Sequence, residues 1–239
     1  MTRPGLVRLT LVELRKMTDT RAGFWLQLVV VLLTIAAVAI VLAVGETRDQ
    51  TFEMLFAVAV APASILLPIV GILLVTSEWS QRTAMVTFAL VPRRTRVVAA
   101  KFLAGLVLAL LAVVACLVVA VLGTAINGSS WEMSGSMFGQ TVLSVVIYLM
   151  LGLALGTAIL ASAPAIVGNF ALPIGFAALA IVPFLRDPFE WLDITQTSAR
   201  LSEQSMTGQE WGQLGTSVAL WFLVPMAIGL LRITRGEVR

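Results

Sequence analysis

"MSGSMFGQTVLSVVIYLMLGLALGTAILASAPAIVGNFALPIGFAALAIVPFL", residues 133–185, contains no charged residue. As one straight helix it would run about 80 Å, against a hydrocarbon core about 30 Å thick. The segment must therefore fold back on itself. The turn is expected at "ASAPA", 161–165, where Pro164 lacks a backbone donor and Ser162 can serve as a local cap. This divides the stretch into runs at about 137–162 and 165–185. Further charge-free apolar runs lie at about 24–45, 54–76, 102–126 and 212–231, giving six candidate spans. No segment alternates apolar and polar residues with period two, which argues against a membrane β-barrel. The expectation is an all-α integral membrane protein, with residues 1–239 forming a single transmembrane domain.

Composition agrees. Of the 239 residues, 59% are hydrophobic and 12% charged, against roughly 45–50% and about 25% in soluble domains. A sphere of this size in water has too little interior for so much apolar surface, so the solvent is lipid. The single cysteine, Cys116, lies within an apolar run and excludes a disulfide framework. Ala43 and Gly45 would pass as a signal-cleavage site, but signal cores run about 7–15 residues and the run before them is longer.

Lysine and arginine in the flanks orient the spans. With the N-terminus inside, the inner segments hold thirteen of the sixteen basic residues, and the outer loops keep only Arg48, Arg186 and Arg200. Both termini are expected in the cytoplasm.

The segments between spans have their own patterns. In "GLVRLTLVELRKMTDTR", 5–21, Leu6, Val7, Leu11, Leu14 and Met17 share one side of a helix. Arg8, Arg15, Lys16 and Asp19 take the other, with Leu9 and Val12 on or beside it. Such a helix should lie at the inner interface with its cations near anionic head groups. Two readings stay open, a positive-inside anchor and a partner contact that covers Leu9 and Val12. The extracytoplasmic loop 186–211 carries five acids against two arginines. Asp187, Pro188 and Glu190 read as N-cap, first helical residue and capping-box partner of a short helix bearing Phe189 and Trp191. Thr207 and Glu210 repeat the capping-box spacing before the last span. A solvated acidic cap and a vestibule for cationic substrates are both compatible with this loop.

Within the spans, Pro62, Pro68, Pro173, Pro183 and Pro225 read as kinks. Gly152 and Gly156 form a GxxxG pair that permits close helix approach. Gln140 and Asn169 read as interhelix hydrogen bonds or caps, with substrate ligation as the alternative.

Several chemistries fall away. The chain has no histidine, which excludes Ser–His proteolysis and His-dependent metal sites. No span holds the two carboxylates of an aspartyl protease. Ionisable residues at the midplane, common in ion-coupled transporters, are missing from the sequence. Lys16 and Lys101 are the only lysines and neither follows glycine, so no phosphate-binding loop exists. The chain is expected not to be an enzyme.

"EWSQRTAMVTFALVPRRTRVVAAK", 78–101, gathers Arg82, Arg93, Arg94, Arg96 and Lys101 between spans two and three. Thr83 to Val91 is helix-compatible, and Pro92 then ends the helix. The physical form is a short helix held under the membrane by two spans, presenting arginines to an acidic groove on another protein.

This stretch resembles the first cytoplasmic loop of ATP-binding-cassette (ABC) permeases of the type-2 exporter class, especially those of actinobacteria. The matching residues are Glu78 and Trp79, Arg82 and Thr83, Pro92 to Arg94, and Ala100 with Lys101. Arg82 stands where glycine is common. Six spans, both ends inside, "ELRK" at 13–16 and a long outer loop before the last span extend the likeness over nearly the whole chain. The resemblance implies a permease subunit in a bacterial plasma membrane, paired with a second subunit, identical or paralogous. Two copies of a cytosolic ATPase would dock beneath, binding ATP and Mg themselves, so the chain carries no cofactor. By this likeness Glu78, Trp79, Gln81, Arg82, Thr83, Pro92, Arg93 and Arg94 contact the ATPase through a coupling helix over 78–94. Leu9, Val12, Glu13, Arg15 and Lys16 belong to the interfacial helix. ATP-driven closure would push on the coupling helices and favour an outward-open state. The substrate is expected to be hydrophobic or amphipathic, such as a drug, peptide or lipid. Membrane lipids are further partners, and nucleic acid is not expected. The alternative is a membrane scaffold or sensor subunit with no transport pathway.

Overall fold

A computed structural model describes residues 5–45, 50–81, 83, 93–179, 182, 186–203 and 205–235. The described residues are helical with short connections. The helices are α1 (Leu6–Asp19), α2 (Arg21–Val44), α3 (Phe52–Ser80), α4 (Arg94–Asn127), α5 (Gly135–Ile159), α6 (Ser162–Leu179), α7 (Arg186–Leu192), α8 (Ile194–Glu203), α9 (Gly208–Val218) and α10 (Val224–Arg235). A π-helical turn, Ala219–Leu223, joins the last two into one long helix.

Local chemistry sets the ends. Side-chain oxygens of Thr20, Thr51 and Ser134 accept from the backbone N–H three residues on, capping α2, α3 and α5. Gly128, at φ 67°, closes α4 in the left-handed conformation that glycine adopts without a Cβ penalty. The Thr207–Glu210 capping box is formed, with Glu210 Oε2 accepting from the Thr207 N–H at 2.7 Å. At Pro225 the missing N–H and the ring's clash with the carbonyl four residues back fall against the wider π-turn.

Six helices are long and apolar enough to cross a bilayer: Arg21–Val44, Phe52–Ser80, Arg94–Asn127, Gly135–Ile159, Ser162–Leu179 and Gly208–Thr234. The protein is a multi-pass membrane protein. Helix α5 lies at the centre, with its most extensive contacts to α3 and further ones to α10 and α4. Glycines allow that approach. A Cβ added to Gly152 would come within 2.1 Å of the Pro68 carbonyl oxygen, and one on Gly71 within 2.5 Å of that of Leu149. The core runs through α3, α4 and α5, from Leu55 and Phe56 past Val113 and Cys116 to Leu149 and Leu153. Helix α6 buries only Ala165 among its described side chains, leaving an apolar face outward.

The structure corrects the expected boundaries. The fold-back falls at Leu160 and Ala161, at the start of the expected 161–165 turn and not across it, with Leu160 at a φ of 60° ending α5. Pro164 sits in the first turn of α6, where an N–H has no helical partner to lose. Ser162 is the first helical residue there, and its hydroxyl bonds Thr76 at 2.7 Å and Ser80 at 3.1 Å across to α3. Helix α7 begins at Arg186, not after an Asp187 cap. An additional helix, α8, follows, capped by Asp193 Oδ1, which accepts from the N–H groups of Thr195 and Gln196. Spans two and three are longer than their apolar runs, because Ser77 to Ser80 and Arg94 to Lys101 continue the helices. Of the helix expected from Thr83 to Val91 only Thr83 is described; the rest, with Arg82 and Pro92, lies outside the described residues, as do Arg48, Pro183 and residue 185.

Candidate functional site

Helix α1 presents an unexpected side to the bundle. Its buried residues are Thr10, Glu13 and Met17, whereas Val7 is 75% exposed, Leu11 55% and Val12 45%. Of the apolar stripe read from periodicity, Met17 is buried and Leu6 and Leu14 are half-buried, while Val7 and Leu11 are exposed. The inward face is therefore rotated from the stripe towards Glu13, and a carboxylate points inward. A buried carboxylate requires a partner. Glu13 has two.

Both lysines of the chain meet two glutamates at one end of the bundle. Lys101 Nζ, on α4, donates to Glu13 Oε2 at 2.6 Å and to the Leu74 carbonyl of α3 at 2.9 Å. It also lies 3.4 Å from Glu78 Oε1 near the end of α3. Three acceptors thus face three protons. Lys16 Nζ donates to Glu13 Oε1 at 2.7 Å and also to Glu78 Oε1. The four groups form a closed ring of alternating sign with no net charge. Glu13, Glu78 and Lys101 side chains are 5% exposed and Lys16 36%, so one edge reaches solvent. Burial disfavours the charged form of Lys16, but hydrogen bonds and attraction from Glu13 and then Glu78 outweigh this. Its ammonium holds its proton above the ordinary lysine range.

The ring joins three elements: α1, the last turns of α3 and the first turns of α4. The latter two are the arms of the 78–101 segment. Further bonds fix its base. Thr83 N–H donates to the Glu78 carbonyl at 2.9 Å where the chain leaves α3. Arg94 donates to the Ile233 carbonyl at 2.6 Å, tying the start of α4 to α10. Arg232 reaches the Ala158 carbonyl at the end of α5. Helices α1, α3, α4, α5 and α10 are thus laced together at the arginine-rich end.

Of the residues singled out in the sequence, the structure brings Glu13, Lys16 and Glu78 together. Trp79 and Leu9 are half-buried nearby in the chain, while Gln81, Thr83, Arg93, Val12 and Arg15 are exposed. Arg82 and Pro92 are outside the described residues. Lys101 was singled out only for its charge and its family match. Its signal was its rarity: a lysine entering an apolar span needs a carboxylate, and acids are few on that side.

At the opposite end Gln140 is an interhelix tie, donating to the Leu201 carbonyl at 3.3 Å and accepting from Met206 N–H at 3.4 Å. Between α3, α5 and α6 lies a cavity of about 330 Å³ whose polar lining comes from Ser64, Tyr148, Asn169 and Thr195, with Pro68 and Pro173 on its walls. No protein-family model matches the chain, and no curated protein matches it. Function rests on the site itself.

Proposed function

We propose that the chain is the membrane-spanning permease subunit of an ABC exporter, driven by a separate ATPase that docks on the 78–101 segment. One observation carries this reading. A buried, charge-neutral ring of Glu13, Lys16, Glu78 and Lys101 clamps both arms of that segment to α1. A loop that served only to connect two spans has no need of such a foundation. A loop that transmits force does, because displacement at its tip must move α3 and α4 rather than bend the loop. Through α3 the displacement reaches α5, packed backbone to backbone at Gly71 and Gly152.

The arginine-rich end is assigned to the cytoplasm by the excess of basic residues there, with α1 in the interface and both termini inside. The cavity bounded by Ser64, Tyr148, Asn169 and Thr195, with uncharged polar groups on otherwise apolar walls, supports a hydrophobic or amphipathic substrate. A second subunit, identical or paralogous, is the natural cover for the outward apolar faces of α2 and α6.

The test is purification from native membranes in mild detergent, followed by cysteine labelling at position 93. A nucleotide-hydrolysing companion in equal copy number and cytoplasmic labelling are expected. Labelling from the outer face, or no such companion, would overturn the proposal. ATPase binding without ATP-dependent substrate movement in vesicles would favour the scaffold instead.

A further inference from the structure

The outward face of α1 is cationic at both ends and apolar between. Arg8, Leu11, Val12 and Arg15 follow the i, i+3, i+4, i+7 spacing that places them on one helical face. With Thr18 and Leu14 they line a cavity of about 570 Å³ closed on its far side by Gln27 of α2 and Leu108 and Leu111 of α4. A second, narrower cavity of about 110 Å³ continues from the same three residues. It runs between α2, α3 and α4 past Val31, Ala112 and Ala115 to Val119. The two form one groove, charged at its mouth and apolar along its length.

We propose that this groove binds one anionic phospholipid. The phosphate lies between Arg8 and Arg15, and an acyl chain follows α4 from Leu108 towards Val119. Three observations select this occupant. Leu108 and Val119 are eleven residues apart on a helix, about 16 Å, close to half of a hydrocarbon core about 30 Å thick. That is the reach of one acyl chain in one leaflet. No carboxylate lines either cavity. Among the described residues neither Arg8 nor Arg15 forms an ion pair, so both guanidinium groups are available to an anion. A second copy of the chain fits less well, because a two-fold interface through this face would set its arginines against themselves. The opposite side of α1 carries Glu13, so a lipid seated here would steady the helix that holds the ion ring. The inference rests on the membrane spans alone and stands apart from any ATPase.

The experiment is native mass spectrometry of the full-length chain released from micelles holding phosphatidylglycerol and phosphatidylcholine in equal amounts. Melting in the same micelles monitors the fold. About one phosphatidylglycerol retained per chain, in preference to phosphatidylcholine, is expected. Arg8→Gln with Arg15→Gln should weaken that retention about tenfold or more, since each cation near a lipid surface contributes substantially. Ala115→Trp should lower retention by blocking the chain's path, with melting unchanged. Equal retention of both lipids, or retention unaffected by the arginine changes, would reduce the site to a diffuse cationic surface and overturn the proposal. So would full displacement by inorganic phosphate, which would make it a free-anion site. Inter-chain crosslinking through Leu111→Cys at full yield would make it a subunit contact.

Discussion

Replacing Lys101 by methionine removes one ammonium from the ring while keeping a side chain of similar length. Lys101 Nζ contacts Glu13 Oε2 at 2.6 Å, the Leu74 carbonyl at 2.9 Å and Glu78 Oε1 at 3.4 Å. Without it, two carboxylates that are 5% exposed share one partly exposed lysine, and the cluster carries a net negative charge. Removing one partner of a buried pair costs about 3–5 kcal/mol, mostly through the charge left behind. Lys101→Met should lose that much in reversible unfolding by dodecyl sulfate in mixed micelles. Glu13→Gln added to it leaves Lys16 and Glu78 as a one-to-one pair. The double variant should therefore recover most of the loss, with a coupling energy of about 2 kcal/mol or more. A single-variant cost below about 1 kcal/mol, or strictly additive effects, would refute the closed ring.

The packing of α5 on α3 predicts that Gly152→Leu fails to accumulate as folded protein, because its Cβ would lie 2.1 Å from a backbone oxygen. Gly139→Ala, with nothing within 4 Å, should melt as the parent does. Alkaline titration tests the ring from its exposed edge. The Lys16 value is raised on folding, so its contribution is complete below the ordinary 10.5 and is lost only as pH climbs past the folded value. Stability in detergent should hold to about pH 10.5 and then fall, and Lys16→Met should remove that dependence. A loss that begins near neutral pH and vanishes in Lys16→Met would contradict the direction of the shift.

The spans were legible because each is a long charge-free run, and the length of 133–185 alone forces a reversal. Where the reversal sits was less legible. Pro164 is compatible with a first helical turn as well as with a break, and Leu160 in the left-handed region has no compositional signal. Helix α8 had one, Asp193 followed three residues later by Gln196, hidden within a polar loop. The ring was illegible for a different reason. Glu13 and Lys101 are 88 residues apart, and their pairing depends on how three helices converge. Helical periodicity placed the outward polar side and Met17 of α1 correctly but set Val7 and Leu11 inside and Glu13 aside, since the wheel scores hydrophobicity and cannot know that a lysine waits opposite Glu13. In lipid, leucine and valine lose nothing by facing outward, so Val7 and Leu11 can lie outside the packed face.

The central claim is that the 78–101 segment carries force from a separate ATPase into the bundle. Arg93 is the cleanest probe, because it is exposed at the start of α4 while Arg94 also holds the Ile233 carbonyl. The deciding measurement is nucleotide hydrolysis and substrate movement in vesicles containing the chain and the proposed companion ATPase, for the parent and for Arg93→Glu. The account predicts that the variant inserts and melts normally yet loses both stimulated hydrolysis and ATP-dependent movement. Undiminished hydrolysis and transport in that variant would contradict it.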